Sequence, residues 1–340
     1  MPSHSARTTR IAIIGAGSVG ATIAYACMMR GVGQRIALYD VNRAKVEAEV
    51  LDLNHGLQFV PMATIEGSDD IAICADADIV VVTAGAKQKP GQTRMDLLTA
   101  NAAILRDLVP RLLAVAPRAV FLIVSNPVDV LTYATLKLTG LPRQRVLGSG
   151  TVLDSSRFRF LVAQRCSVAV QNVHAYIVGE HGDSEIPLWS SARIANVPLH
   201  EWAVAGHGKL TVRDRTDIFV NVRDAAQQVI AGKGATNYAI GLATAKILEA
   251  ILKDENRVLP VSSLLTDYHG MNDVCLSVPS IVNRTGVVPR PTCRAAGACR
   301  AASDRGRACA PCTPSLPDAA GSGTSRRPWR RSPSGRRRRC

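Results

Sequence analysis

The sequence holds 340 residues, 47% hydrophobic and 20% charged, the balance of an ordinary globular chain with room for two domains. No stretch reaches the ~18 uninterrupted apolar residues of a membrane span, and the opening MPSHSARTTR has no apolar core like that of a signal peptide, so a cytoplasmic protein with no membrane partner is expected. The net charge of +14 is lopsided: residues 289–340 hold thirteen Arg, no Lys and two acids, a net +11, which leaves +3 for residues 1–288 and removes the main argument for a nucleic-acid-binding body.

From Thr9 to Gly150 short β-branched runs alternate with helical patterns. The strand candidates are Ile11–Ile14, Arg35–Tyr39, Ile79–Thr83, Ala119–Val124 and Arg145–Gly148, and the stripe Val46, Val50, Leu53, Leu57 marks a helix over Arg43–Leu57. Apolar strands separated by helices imply a parallel sheet covered on both faces. The expected fold is α/β, a Rossmann-type doubly wound parallel sheet over residues 8–149, joined to an α+β substrate domain over 150–288. In that second part a helix is read at Leu153–Cys166, a strand at Val173–Val178, a helix around Asn221–Ile230, a Gly-rich break at Gly232–Gly234 and a helix at Ala239–Lys253. Residues 289–340 contain one Leu and no Ile, Val, Phe, Met or Tyr, so they are expected to be disordered.

The first strand runs into RIAIIGAGSVGATIAYACMMRG. Gly15, Gly17 and Gly20 follow a strand and open a helix, and Asp40 ends the next strand, which is the full context of a dinucleotide fingerprint. Gly15 permits the turn, Gly17 lets backbone amides approach a pyrophosphate at the helix N-terminus, and Gly20 lets helix and strand pack closely. Asp40 would accept from the ribose hydroxyls and repel a 2′-phosphate, which favours NAD as the cofactor.

Further clusters sit where strands end: the loop GAKQKPGQTR (Gly85–Arg94), VSNPVDVL (Val124–Leu131), GSGTVLDSSRFRF (Gly148–Phe160) and VGEHGDSEIP (Val178–Pro187). Taken singly, Asn126-Pro127 reads equally well as a helix start, Asp154 as an exposed first-turn acid and His181 as a turn residue. Together, in this order and over about Arg10–Val287, they resemble the L-lactate and malate dehydrogenase family, and most closely its bacterial L-lactate dehydrogenases.

The resemblance implies the roles. His181 matches the acid/base that takes the hydroxyl proton of lactate and returns it to pyruvate, a task suited to an imidazole with an unperturbed pKa of ~6.5. Asp154 matches the carboxylate paired with it, Arg157 the arginine that grips the substrate carboxylate, and Arg94 the loop arginine that polarises the reacting carbonyl. Asn126 matches an orienting donor near substrate and nicotinamide, and Thr236 a substrate-side contact. Further cofactor contacts fall on Val19, Lys45, Gly85, Ala86, Val124 and Ser149. Asp154 and Arg157 are one helical turn apart, so both can point into one cleft.

The family divides at one loop position, here Gln88. Malate enzymes carry arginine there; a neutral amide leaves a second substrate carboxylate unpaired, which favours pyruvate and L-lactate, the last step of fermentative glycolysis, over the malate alternative. Arg159 and His174 match positions through which allosteric bacterial members bind fructose 1,6-bisphosphate across the interface of a homotetramer. No metal is expected: no H-E-x-x-H or Cys/His quartet is present, and Cys309–Cys312 is a lone C-x-x-C in low-complexity sequence.

The tail departs from the family, which ends in an amphipathic helix on the substrate domain, and reads as the product of a reading-frame slip. An inactive NAD-binding paralogue therefore stands as a further alternative. The arginines would attract polyanions nonspecifically, without a scaffold that reads bases.

Overall fold

The apolar runs between Thr9 and Gly150 do become parallel strands, in the computed structural model that describes residues 8–86, 94–204 and 208–288. They are β1 (Arg10–Ile14), β2 (Arg35–Tyr39), β4 (Ile79–Val82), β5 (Val120–Ile123) and β6 (Val146–Gly148). Along β1, Ile11 and Ile13 enter one core layer while Ala12 and Ile14 enter the other, so period two has both of its faces buried. Helices α1 (Ser18–Arg30) and α2 (Arg43–His55) pack on the first face, and α3 (Arg94–Val115) and α4 (Val128–Thr139) on the second.

Between Thr9 and Gly150 one strand has no counterpart in the expected set: β3 (Thr64–Ser68) reads TIEGS, too polar for an interior strand. It lies at the sheet edge beside β2, where one-sided burial suffices. Gly67 is required there, because a Cβ would come within 2.6 Å of Val50 in α2.

After β6 come α5 (Val152–Cys166), α6 (Val212–Lys233) and α7 (Tyr238–Leu252). The helix expected around Asn221–Ile230 is longer than its apolar pattern suggests, because Thr211 and Asp214 form a capping box that starts it at Val212. It also runs through Gly232 and stops only at Gly234, which takes φ 83°. The single strand expected over Val173–Val178 is two: Val173–His174 pairs with Arg193–Ile194, whereas Ile177–Val178 pairs with Ile186–Pro187.

The long hairpin Arg257–Leu265/Val274–Asn283 joins the open edge at β6 in antiparallel fashion and, with Gly286–Val287, extends the sheet to nine strands. The two halves of the chain thus share a sheet, and all described residues fall within one compact unit. Helix α7 crosses α1 closely, since a Cβ on Gly241 would meet Thr22 at 2.6 Å. At the other end of that crossing, buried Glu249 binds Arg30, Lys246 and Lys253 at 2.7–2.9 Å. A third core, with Phe158, Val162, Ile177, Ile194, Ile218 and Val222, lies under α5 and α6. No helix among the described residues is long and apolar enough to cross a membrane. The loop residue Gln88 and the tail 289–340 lie outside the described residues.

Candidate active site

The dinucleotide loop is built from backbone. Gly15 takes φ 104° and donates its N–H to Tyr39 O at 2.7 Å, so the turn after β1 is fastened to the end of β2. A Cβ on Gly20 would lie 1.9 Å from Gly15 O, closer than any side chain tolerates. Gly17 caps α1 without a side-chain hydrogen bond to the first-turn amides, an arrangement that suits an anion. Lys45 Nζ stands 3.9 Å from where a Gly17 Cβ would sit, which puts a lysine beside the helix cap. Asp40 accepts from Ala16 N–H at 2.7 Å and from Asn42 N–H at 3.0 Å, so its carboxylate is fixed at the loop's rim. Val19 is half-buried against the core, and Val124 and Ser149 are buried at the ends of β5 and β6, with Ser149 N–H bonded to Ile123 O. An uncapped helix start, a glycine cradle and an adjacent fixed carboxylate fit a dinucleotide.

The loops after β4 and β5 are joined by a residue the sequence did not single out. Asn101, on α3 and 3% exposed, accepts from Ala86 N–H and donates to Asn126 O, both at 2.7 Å. Its amide therefore sets the spacing between Gly85-Ala86 and Asn126, which precedes a cis peptide to Pro127.

The candidate catalytic residues and their support converge from α5, α4 and the loop after Ile177–Val178. Asp154 lies in the first turn of α5, 2% exposed, where the helix N-terminus favours a negative charge. Thr151 and Ser155 flank it and hydrogen-bond Ile177 O, fixing α5 to the strand that leads to His181. Gly179, two residues before His181, exchanges both backbone hydrogen bonds with Ser277 of the long hairpin. His181 Nδ1 lies 2.6 Å from Asp154 Oδ2, and Arg157 donates to Asp154 Oδ1 at 2.7 Å. A carboxylate can only accept, so Nδ1 carries the hydrogen and Nε2 is left to exchange a proton.

Burial works against the imidazolium, but the hydrogen bond and charge of Asp154, with the charges of Asp129 and Glu185, outweigh it and raise the His181 pKa above its usual 6.5. Buried Asp129, on α4, accepts from His181 N–H at 2.8 Å and from Ser262 at 2.6 Å, holding the histidine from its backbone side.

The family model for the lactate/malate dehydrogenase NAD binding domain matches residues 9–148, and that for the lactate/malate dehydrogenase alpha/beta C-terminal domain matches 151–292. The chain belongs to the lactate/malate dehydrogenase family. It is similar to the L-lactate dehydrogenase of Bifidobacterium animalis subsp. lactis (strain AD011), 54% identical over 291 residues, covering 85% of this chain and 91% of that protein. The L-lactate dehydrogenase of Geobacillus stearothermophilus is 48% identical over 278 residues, 82% of this chain and 87% of that one. Among solved structures, the minor L-lactate dehydrogenase from Enterococcus mundtii in its ligands-bound form superposes with a TM-score of 0.79 at 42% identity, covering 83% of this chain and 90% of that chain. As a family member with an NAD-binding domain, the chain is an NAD-dependent oxidoreductase.

Not every expected family residue is gathered at the pair. Arg94 begins α3, but its side chain lies outside what is described. Thr236 is half-buried in the turn between α6 and α7, and among the described residues no hydrogen bond ties it to Asp154, Arg157 or His181. Arg159 lies on α5 beyond the pair; it donates to Ala175 O at 2.8 Å and stacks over Tyr176, which places it beside the exposed His174. Asp129, Asn101 and Glu185 are the site residues that sequence reasoning passed over. Asp129 sits within the quoted VSNPVDVL, but nothing in a sequence distinguishes a buried first-turn acid from an exposed one.

Proposed function

We propose that His181, held by Asp154, is the acid/base of an L-lactate dehydrogenase reaction, with Arg157 binding the substrate carboxylate. The chain interconverts L-lactate and pyruvate; NAD, when bound, supplies the hydride acceptor or donor. His181 Nε2 takes the hydroxyl proton of lactate or returns it to pyruvate, Asp154 stabilises the imidazolium, and Arg157 presents a planar fork beside the pair. Asn126 orients the substrate, with Thr236 on the substrate side, and Arg94 polarises the carbonyl. The glycine loop, Val19, Asp40, Lys45, Gly85, Ala86, Val124 and Ser149 bind the dinucleotide. The observation that carries the reading is the contact of His181 with Asp154 at 2.6 Å beside Arg157.

The boundary between the NAD-binding and substrate halves is placed at 149/150, supported by the change of family model between 148 and 151. Gln88 excludes a second substrate carboxylate. Arg159 and His174, adjacent in the fold, bind fructose 1,6-bisphosphate as an activator in a homotetramer, and the protein acts in the cytoplasm at the end of glycolysis. Four buried, unpaired cysteines among the described residues suit a reducing compartment.

Because pyruvate reduction starts from the imidazolium, and His181 is raised above its usual pKa, reduction persists above that value and declines as pH rises through the raised one; lactate oxidation responds in the opposite sense. Pyruvate-dependent oxidation of NADH, followed by absorbance with and without fructose 1,6-bisphosphate, tests the reading. Turnover with pyruvate, and a lower half-saturating pyruvate concentration with the bisphosphate by roughly five- to 150-fold, is expected. Equal specificity for pyruvate and oxaloacetate would sink the lactate assignment, and superimposable saturation curves would sink the activator. Gln88→Arg moves activity toward oxaloacetate by about a hundredfold, equivalent to ~2.7 kcal/mol of transition-state discrimination.

A further inference from the structure

The site holds a third buried carboxyl group, beside Asp154 and Asp129, that takes no direct part in the proton transfer above. Glu185 lies four residues beyond His181 and is 4% exposed; its Oε1 is sealed from solvent and has no hydrogen-bond partner among the described residues. One oxygen each of Glu185 and Asp154 and one ring nitrogen of His181 all lie within 4.8 Å of one another. Buried carboxyl groups are ordinarily hydrogen-bonded, and this one instead lies beside the proton-transfer pair.

Its charged surroundings come from several elements. Asp154 and Arg157 face it from α5, Arg223 from α6 and His181 from its own loop, while Asp129 on α4 acts on the same imidazole. Glu180 and Asp183 occupy the same loop, Glu180 acting on Asp129 and Asp183 on Arg223.

We propose that Glu185 is a positioning residue for the catalytic proton: acting through His181, its charge favours the imidazolium and so biases the enzyme toward pyruvate reduction, the direction that begins with it. This rests on the reading of His181 as the acid/base. Burial, seconded by Asp154 and opposed by His181, Arg157 and Arg223, pushes the Glu185 carboxyl up to about 7. Below that value the group is neutral. Above it, the new negative charge compensates for the tendency of the imidazole to lose its proton, and reduction extends to higher pH.

The test is the pH dependence of kcat/KM for both directions in the full chain and in Glu185→Gln, which keeps size and removes charge. The alkaline limb of pyruvate reduction should move to lower pH, with about a tenfold loss near pH 8, the usual scale for a close charge on a proton equilibrium. Lactate oxidation should not fall there, and near pH 6 the two proteins should agree. Glu185→Asp should bring the limb part of the way back, which a purely structural role would not do. Superimposable profiles in an enzyme that depends on His181 overturn the role of Glu185 alone; an enzyme whose turnover survives His181→Asn overturns the acid/base reading as well. A second measurement needs no variant: in the unmodified chain labelled with carboxyl-13C glutamate, infrared spectra should show a protonated glutamate band near pH 6 that disappears by pH 8. Absence of that band at pH 6 contradicts the proposal.

Discussion

Around Gly15–Gly20 the chain makes its proposed cofactor surface from backbone amides and missing side chains, whereas around Asp154–His181 it makes its proposed reaction centre from charges buried against one another. The first region works through shape: the N-terminus of α1 is open because Gly17 has no Cβ, and it is close to β1 because Gly20 has none. The second works through charge: Asp154 accepts from Arg157 and faces His181 Nδ1, Asp129 accepts from the His181 N–H, and Glu185 lies within 4.8 Å of the pair, so at Asp154 an isosteric loss of charge is as damaging as a loss of bulk. Substitutions should separate the two regions cleanly.

The largest effect is expected at the charged end. Asp154→Asn keeps the shape of the side chain but offers an amide where His181 needs a carboxylate, and kcat for pyruvate reduction should fall ~10²–10⁴-fold with NADH affinity unchanged in a fluorescence titration. An unchanged kcat would mean that the pair is structural.

Gly20→Ala reverses the pattern. The added Cβ meets Gly15 O at 1.9 Å, and moving α1 away costs about 1–3 kcal/mol. NADH affinity should weaken by roughly five- to 150-fold, measured by the same titration, while the residual turnover keeps its dependence on pH.

Glu249→Gln touches neither region and gives the smallest effect. It breaks the link between α1 and α7, with a stability loss of about 1–2 kcal/mol in urea once the partial exposure of its cationic partners is allowed for. Although partial burial raises it, hydrogen bonds from Lys246, Lys253 and Arg30 depress the Glu249 carboxyl below its usual 4.5 overall, so its stabilisation is present above that value and lost as pH falls through the lowered one. The difference between the two proteins should therefore vanish in acid.

The same contrast explains what could be read from the sequence. The glycine fingerprint and the apolar strands β1, β2, β4, β5 and β6 depend on local residue types, and they fold where their patterns place them. Strand β3 escaped because TIEGS carries its information in Gly67, which only the approach of Val50 makes meaningful. The joining of the long hairpin to the parallel sheet escaped because edge pairing is a tertiary event, fixed by the meeting of Ser262 with Gly148. At the site, Asp154 and Arg157 were legible as a helical i, i+3 pair. The clamp made by Asn101 and the roles of Asp129 and Glu185 were not, since each depends on partners 15 to 133 residues away or on burial, which leave no periodic trace.

The central claim is that binding and proton transfer are carried by separate regions, the second organised around His181. The most direct measurement pairs NADH titration with pyruvate-dependent turnover in His181→Asn. The account predicts NADH affinity within about twofold of the unmodified chain, with turnover reduced at least ~10²-fold at every pH. Retained turnover, or loss of NADH binding in step with activity, would contradict it.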